Sequence, residues 1–142
     1  MSNRTLAIIK PDAVGKNVVG EIVAKITQAG FKVLGLKLTR ITPAIAGSFY
    51  EIHKERPFYG ELIAYMTSGP IVPIALEKEN AVEEFRKLIG ATDPAKAEEG
   101  TIRKLYGVGI EANAIHGSDS DENAANEIAF FFSKSELVNI NS

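Results

Sequence analysis

Short apolar runs alternate with amphipathic stretches along this chain, and that punctuation predicts a mixed α and β domain. Residues 4–9 form an apolar run that stops just before Pro11, the mark of a short buried strand. Val19, Ile22, Val23 and Ile26 then recur at helical spacing, and Gly30 stands where such a helix stops, which predicts a helix over about 18–29. Between Phe31 and Arg40, Leu34, Leu36 and Leu38 alternate with Gly35, Lys37 and Thr39, the period of a half-buried strand. Thr42 and Pro43 fit an N-cap and first helical position, with the helix running to about Lys54. Residues 58–67 read as another short helix, closed by Ser68-Gly69-Pro70. Ile71 to Leu76 reads as a strand in which Pro73 is awkward, because proline cannot donate to a ladder.

Asn80 is placed to cap a helix whose apolar face is Val82, Phe85, Leu88 and Ile89, ended by Gly90. Residues 91–110 look like loop, and 112–116 like a short final strand. Asp119 with Glu122 three residues on fits a capping box, which predicts a last helix over about 120–131. The element order matches the βαββαβ pattern of a ferredoxin-like sandwich with insertions, an α+β fold with helices packed on a four-stranded antiparallel sheet. Element order alone leaves a doubly wound sheet open.

Composition narrows the chemistry. The 142 residues suit one domain over 1–142, with 45% hydrophobic and 24% charged residues. The absence of cysteine excludes disulfide scaffolds and thiol catalysis, and two histidines are too few for a histidine-rich metal site. Sixteen Lys and Arg against 18 Asp and Glu leave a net charge of −2, which argues against specific nucleic-acid binding but not against a small polyanion held by converging cations. The apolar run Leu6–Ile9 is too short for a signal-peptide core or a membrane span, so a cytoplasmic protein without membrane attachment is expected.

No P-loop, G-x-G-x-x-G turn or kinase H-R-D motif is present. The richest segment is Ala114-Ile115-His116-Gly117-Ser118-Asp119-Ser120. A neutral imidazole can attack phosphorus when its other nitrogen's proton has an acceptor, and Glu127 on the following helix is placed to orient it. Lys10, after the first strand, Arg86 and Arg103 are candidate cations; Thr92 is a candidate hydroxyl donor, Tyr50 a candidate phosphate contact and Phe58 a stacking surface. Each has a plainer reading too: a loop histidine, solvated cations, a turn-capping threonine, packed aromatics. His53 reads as a surface residue.

With these residues in place, the chain resembles the nucleoside diphosphate kinases, of bacterial type, over about residues 3–138. The segments that carry the likeness are Ile9-Lys10-Pro11-Asp12, Arg56-Pro57-Phe58, Met66-Thr67-Ser68-Gly69-Pro70, Gly90-Ala91-Thr92-Asp93-Pro94, Gly100-Thr101-Ile102-Arg103 and Asn113 through Ser120. The resemblance implies a ping-pong transfer of the γ-phosphoryl group of a nucleoside triphosphate to a nucleoside diphosphate through a phosphohistidine on His116, keeping triphosphate pools filled. It implies that Glu127 and Ser118 support His116. Lys10 and Tyr50 would meet the transferring group, and Arg86, Thr92 and Arg103 would hold phosphates. Asn113 would take the ribose hydroxyl, Phe58 would stack the base, and Mg2+ would ride on the nucleotide's phosphates. It also implies a homo-oligomer, with a tetramer preferred over a dimer or hexamer. One departure stands out: Glu111-Ala112 precedes Asn113 where many relatives have Gly-Arg, and so puts a carboxylate beside a polyanion site. A non-catalytic nucleotide sensor and a nucleic-acid module on the same fold are the competing classes.

Overall fold

A six-residue strand, β1 (Arg4–Ile9), runs between two neighbours and is buried on both faces, which is why Leu6–Ile9 is a continuous apolar run rather than an alternation. The computed structural model describes residues 3–138; the one-domain expectation over 1–142 reaches past them at both ends. The other strands are β2 (Lys32–Leu36), β3 (Val72–Glu77) and β4 (Ile115–Gly117), and the sheet order is β2-β3-β1-β4 with every pair antiparallel. This is the expected α+β, ferredoxin-like sheet.

Two helices complete the βαββαβ frame: α2 (Val19–Gln28) after β1, and α5 (Ala81–Ile89) after β3. Five more are α1 (Pro11–Gly15), α3 (Pro43–Phe49), α4 (Tyr59–Met66), α6 (Ile102–Tyr106) and α7 (Asp121–Phe131). Ala7 and Ile9 point to one face of the sheet, where they meet Ile22 and Ile26 of α2 and Phe85 and Ile89 of α5. Leu6 and Ile8 point to the other face, against Ala46 of α3, Met66 of α4 and Ile128 and Phe131 of α7. The sheet is thus the middle of three layers, and burial on both sides supplies the main apolar driving force.

Several expectations change on contact with the structure. β2 ends at Leu36 rather than running over 31–40, and it contains a bulge: Val33 faces Leu76 and Gly35 faces Ala75, so Leu34 is an extra residue. The bulge breaks the period of two; Leu34 is buried, while Leu36 and Leu38 are 46% and 67% exposed. The helix from Pro43 is capped by Thr42 as expected, but it ends at Phe49, and a 3-10 turn over Glu51–His53 follows. Pro73 does lie inside β3. Its carbonyl accepts from Lys37 on the β2 side, so its missing donor also points there, just past the end of β2.

Asn80 stands before α5 but adopts a left-handed conformation and does not cap with its side chain; its Nδ2 donates to Glu83 Oε2 at 2.9 Å. The last helix is capped by Ser120, whose Oγ accepts from Asn123 N–H, and Asp119 instead accepts from Asn123 Nδ2. The 91–110 stretch is not all loop. It holds a 3-10 turn over Pro94–Lys96 and α6, whose N-cap Thr101 accepts from Lys104 N–H. The final strand occupies Ile115–Gly117 rather than 112–116.

Candidate active site

The register of β4 decides where the imidazole goes. Ile8 pairs with His116 and Ala7 with Gly117. His116 therefore projects to the Ile8 face, over α7, while its neighbours Ile115 and Gly117 face α5. Glycine is needed at 117, since a Cβ there would lie 2.9 Å from Phe85 and 3.0 Å from Ile89. On its own face His116 meets α7: its Nε2 is 2.8 Å from Glu127 Oε1. The Ser118 hydroxyl donates to the same oxygen at 2.8 Å. Ser118 is fully buried and tied to β1, its Oγ accepting from Leu6 N–H at 3.2 Å and its own N–H donating to the Leu6 carbonyl at 3.2 Å. Phe49, at the end of α3, packs edge-on to the imidazole at 5.9 Å.

His116 stands on the wall of a cleft with two adjoining compartments. The larger, about 440 Å³, is lined by Lys10, Phe58, Leu62, Ile110, Glu111 and Asn113 among others. The smaller, about 210 Å³, is lined by Arg86, Gly117, Asp119 and Glu127 among others. Tyr50, His53, Thr92, Arg103 and His116 line both. Every residue singled out from the sequence as a contact for phosphate, ribose or base therefore lies on one cleft, although they come from seven separate parts of the chain. Ser118 sits behind the wall, reaching it through Glu127.

The two arginines are held by backbone carbonyls of the cleft. Arg103 is 6% exposed; its Nε and Nη2 donate to the Ile115 carbonyl at 3.2 and 2.9 Å, and its Nη1 to the Gly90 carbonyl at 3.0 Å. Gly90 reaches this position with φ 91°, where a side chain would be strained and would strike Thr101. A guanidinium has five N–H donors, so two remain for a ligand. Burial, and then the charge of Arg86, bring the Arg103 pKa down to about 10. Arg86 lies on the exposed side of α5 and donates to the Gly117 carbonyl at 3.4 Å.

Lys10 is 8% exposed, and its Nζ donates to Asn113 Oδ1 at 2.8 Å, while Asn113 Nδ2 donates to the Thr92 carbonyl at 3.0 Å. Burial, then Arg103, lower the Lys10 pKa to about 8, against the opposing pull of Asp12 and Glu111. Like charges gathered where water is scarce are a receptor for a polyanion. The Tyr50 hydroxyl is buried without a hydrogen-bond partner among the described residues, and burial followed by the Glu127 charge raises its pKa, so it remains an O–H donor.

Known proteins resemble this chain over nearly its whole length. The family model described as nucleoside diphosphate kinase matches residues 3–137. The chain belongs to the nucleoside diphosphate kinase family. A kinase of this name from Chlorobium limicola is 59% identical over 137 residues, covering 96% of this chain and 98% of the relative. One from Chloroherpeton thalassium is 62% identical over 135 residues, covering 95% and 96%. Among solved structures, the Aquifex aeolicus nucleoside diphosphate kinase superposes with a TM-score of 0.94 at 46% identity, covering 96% of this chain and 99% of that one. A halophilic nucleoside diphosphate kinase from Halobacterium salinarum, in complex with CDP, superposes with a TM-score of 0.94 at 38% identity, covering 100% and 95%. The chain is thus a nucleotide-dependent phosphotransferase.

Three residues of the large compartment of this kinase lay outside the sequence reading or were misread there. His53 is not a surface residue: the 3-10 turn after α3 carries it into both compartments, half-buried, with Nδ1 unpartnered among the described residues. Leu62 and Ile110 flank the large compartment with Phe58, and no local pattern marks them. Glu111 does line the cleft, and its carboxyl is raised in pKa first by a hydrogen bond with Glu61, while Lys10 pulls it down. Among the described residues, no helix is long and apolar enough to cross a membrane.

Proposed function

We propose that this one-domain kinase works by a ping-pong mechanism with His116 as the phosphoryl carrier. The observation that supports it best is the bond between His116 Nε2 and the Glu127 carboxylate inside a cleft of converging cations. A carboxylate acceptor keeps the imidazole proton on Nε2, so Nδ1 holds the free lone pair. Nδ1 attacks the γ-phosphorus; the Nδ1–P bond forms, the bond from phosphorus to the β-γ bridging oxygen breaks, and the nucleoside diphosphate leaves with that electron pair. A β-phosphate oxygen of the second diphosphate then attacks the same phosphorus, and the N–P bond breaks back to the imidazole. The Nε2 proton stays against Glu127 in both halves, and Ser118 holds that carboxylate from behind.

Lys10, Arg86 and Arg103 neutralise the phosphate oxygens, with the Tyr50 and Thr92 hydroxyls as further donors. Asn113 takes the ribose hydroxyl. The base lies between Phe58 and the apolar Leu62 and Ile110; stacking accepts any base, since each has a π-face. No cluster of three or more His, Asp or Glu residues among the described residues could hold a metal ion. This donor set suits an Mg2+ held by the nucleotide's own phosphates, with Asp119 as the carboxylate of the smaller compartment that remains once Glu127 is engaged with His116. The bound ion would offset negative charge on the β- and γ-phosphates. The substrates point to cytoplasmic maintenance of triphosphate pools, and the exposed Leu36 and Leu38 favour a homo-oligomer, with a tetramer preferred over a dimer or hexamer.

The test is isolation of the labelled chain. With γ-labelled ATP and Mg2+ and no diphosphate added, the protein should take up label, the isolated labelled chain should pass it to a nucleoside diphosphate added afterwards, and initial-rate plots should give parallel lines. Transfer that occurs only with donor and acceptor present together would refute the carrier mechanism. A sensor would bind nucleotide and take no label.

Lys10 adds a pH signature. Its ammonium is the form that binds phosphate, and in the free protein it is lost as pH rises through about 8. The kcat/KM for a triphosphate should therefore fall above that pH, and Lys10→Gln should be slow at every pH and lack that limb. A wild-type profile that stays level to well above this pKa would remove Lys10 from phosphate binding.

A further inference from the structure

The Lys10-Pro11-Asp12 segment contains a residue that the mechanism leaves unused. Asp12 is the second residue of α1, and its carboxylate has two partners outside that helix. Its Oδ1 accepts from the Tyr65 hydroxyl on α4, and the Asp12 N–H donates to that hydroxyl oxygen at 3.0 Å. Its Oδ2 accepts from the Ala114 N–H at 3.1 Å.

Ala114 is fully buried and has φ 77°, a left-handed conformation that a residue with a Cβ rarely takes. Such a residue persists only where its surroundings fix it. Here both sides of it are fixed: Asp12 takes its N–H, and the Lys10 N–H donates to its carbonyl at 2.8 Å. Its position in the chain gives this consequence. The residue before it, Asn113, holds Lys10 Nζ, and the residue after it, Ile115, holds Arg103 through its carbonyl. His116 comes next. The turn at Ala114 thus sets the angle between the residues around Lys10 and the nucleophile.

We propose that Asp12 is a positioning residue for phosphoryl transfer: its carboxylate, anchored by Tyr65, holds the left-handed peptide at Ala114 that aligns Asn113 and Lys10 with His116. The assignment rests on His116 being the phosphoryl carrier. Asp12 touches none of the reacting atoms, so its effect falls on the rate of the chemical step more than on nucleotide affinity.

The experiment follows acid-labile phosphate on His116 after rapid mixing of the full chain with γ-labelled ATP and Mg2+, alongside ADP affinity measured by calorimetry. At saturating ATP, Asp12→Ala should slow phosphorylation by about 10- to 100-fold, the scale of a small misalignment. ADP affinity should stay within about threefold, since no phosphate or base contact is removed. Asp12→Asn can still accept from Ala114 and donate to Tyr65, so it should stay within about fivefold of the wild-type rate. Adding Ala114→Gly to Asp12→Ala should recover about half of the loss on a logarithmic scale, because glycine takes positive φ freely. Tyr65→Phe, which keeps the carboxylate but frees it, should slow the step by about two- to fivefold and serves if Asp12→Ala does not fold. A wild-type rate in Asp12→Ala or in Tyr65→Phe, an affinity loss matching the rate loss, or no recovery with Ala114→Gly would overturn the proposal. A wild-type protein that takes no label on His116 would instead overturn the carrier reading beneath it.

Discussion

His116→Ala is expected to abolish phosphoryl exchange, by about 10⁴-fold or more, the scale on which removing a covalent nucleophile acts. The acid-labile phosphate formed with labelled triphosphate should vanish with it. Binding should survive, because the phosphate cations belong to Lys10, Arg86 and Arg103, and the base surface to Phe58 and Ile110. The variant should also fold. The imidazole is only half-buried, and β4 is held by backbone pairing to β1 and by Ser118. Labelling with triphosphate, ADP calorimetry and a thermal melt separate these outcomes. Label retained in His116→Ala at the wild-type level would place the nucleophile elsewhere.

Arg103→Ala should be the most damaging single change to a cleft cation, and it should act on stability as well as on rate. The guanidinium donates three hydrogen bonds to two carbonyls in a buried site. Hydrogen bonds from a charged donor contribute about 1.5–3 kcal/mol each, and the variant strands the Ile115 and Gly90 carbonyls, so a loss of about 3 kcal/mol or more is expected in urea unfolding. The phosphorylation rate should fall about 100-fold through loss of charge and displacement of β4. Arg103→Lys keeps a charge but cannot reach both carbonyls, and should recover little. Arg86→Ala, by contrast, removes one long hydrogen bond on an exposed helix face and should lower the rate with little change in stability. Equal stability losses in the two arginine variants would show that the Arg103 carbonyl bonds matter less than their geometry implies.

How legible was all this in the chain? The helices with a strong apolar stripe were readable: Ile22 and Ile26 define α2, and Phe85 and Ile89 define α5, because burial on the sheet requires that spacing. The five-residue helices α1 and α6 were not, since a helix so short has no periodicity to detect. Only Pro11 and Thr101, as start signals, marked them. β2 misled because a bulge undoes the alternation that its leucines display. At the site, the residues of the His116 segment and the cations offered this chemistry beside plainer readings, and the family pattern decided between them. Arg103 looks like any solvated arginine in a loop until the carbonyls of Gly90 and Ile115 are brought to it from elsewhere in the chain. His53 was misread because nothing local shows that α3 yields to a tighter turn three residues before it.

The pairing of β4 with β1 covers only three residues, yet all of the chemistry depends on its phase. A chain that settled one position out of step would turn the imidazole toward Phe85 and Ile89 and present a neighbour to Glu127 instead. Such a molecule would keep its sheet, most of its core and much of its resistance to heat, while doing no work. For this enzyme, then, melting curves and circular dichroism measure a different quantity from the fraction of competent molecules. The burst of histidine phosphorylation per chain is the count that distinguishes correctly assembled copies from inert look-alikes.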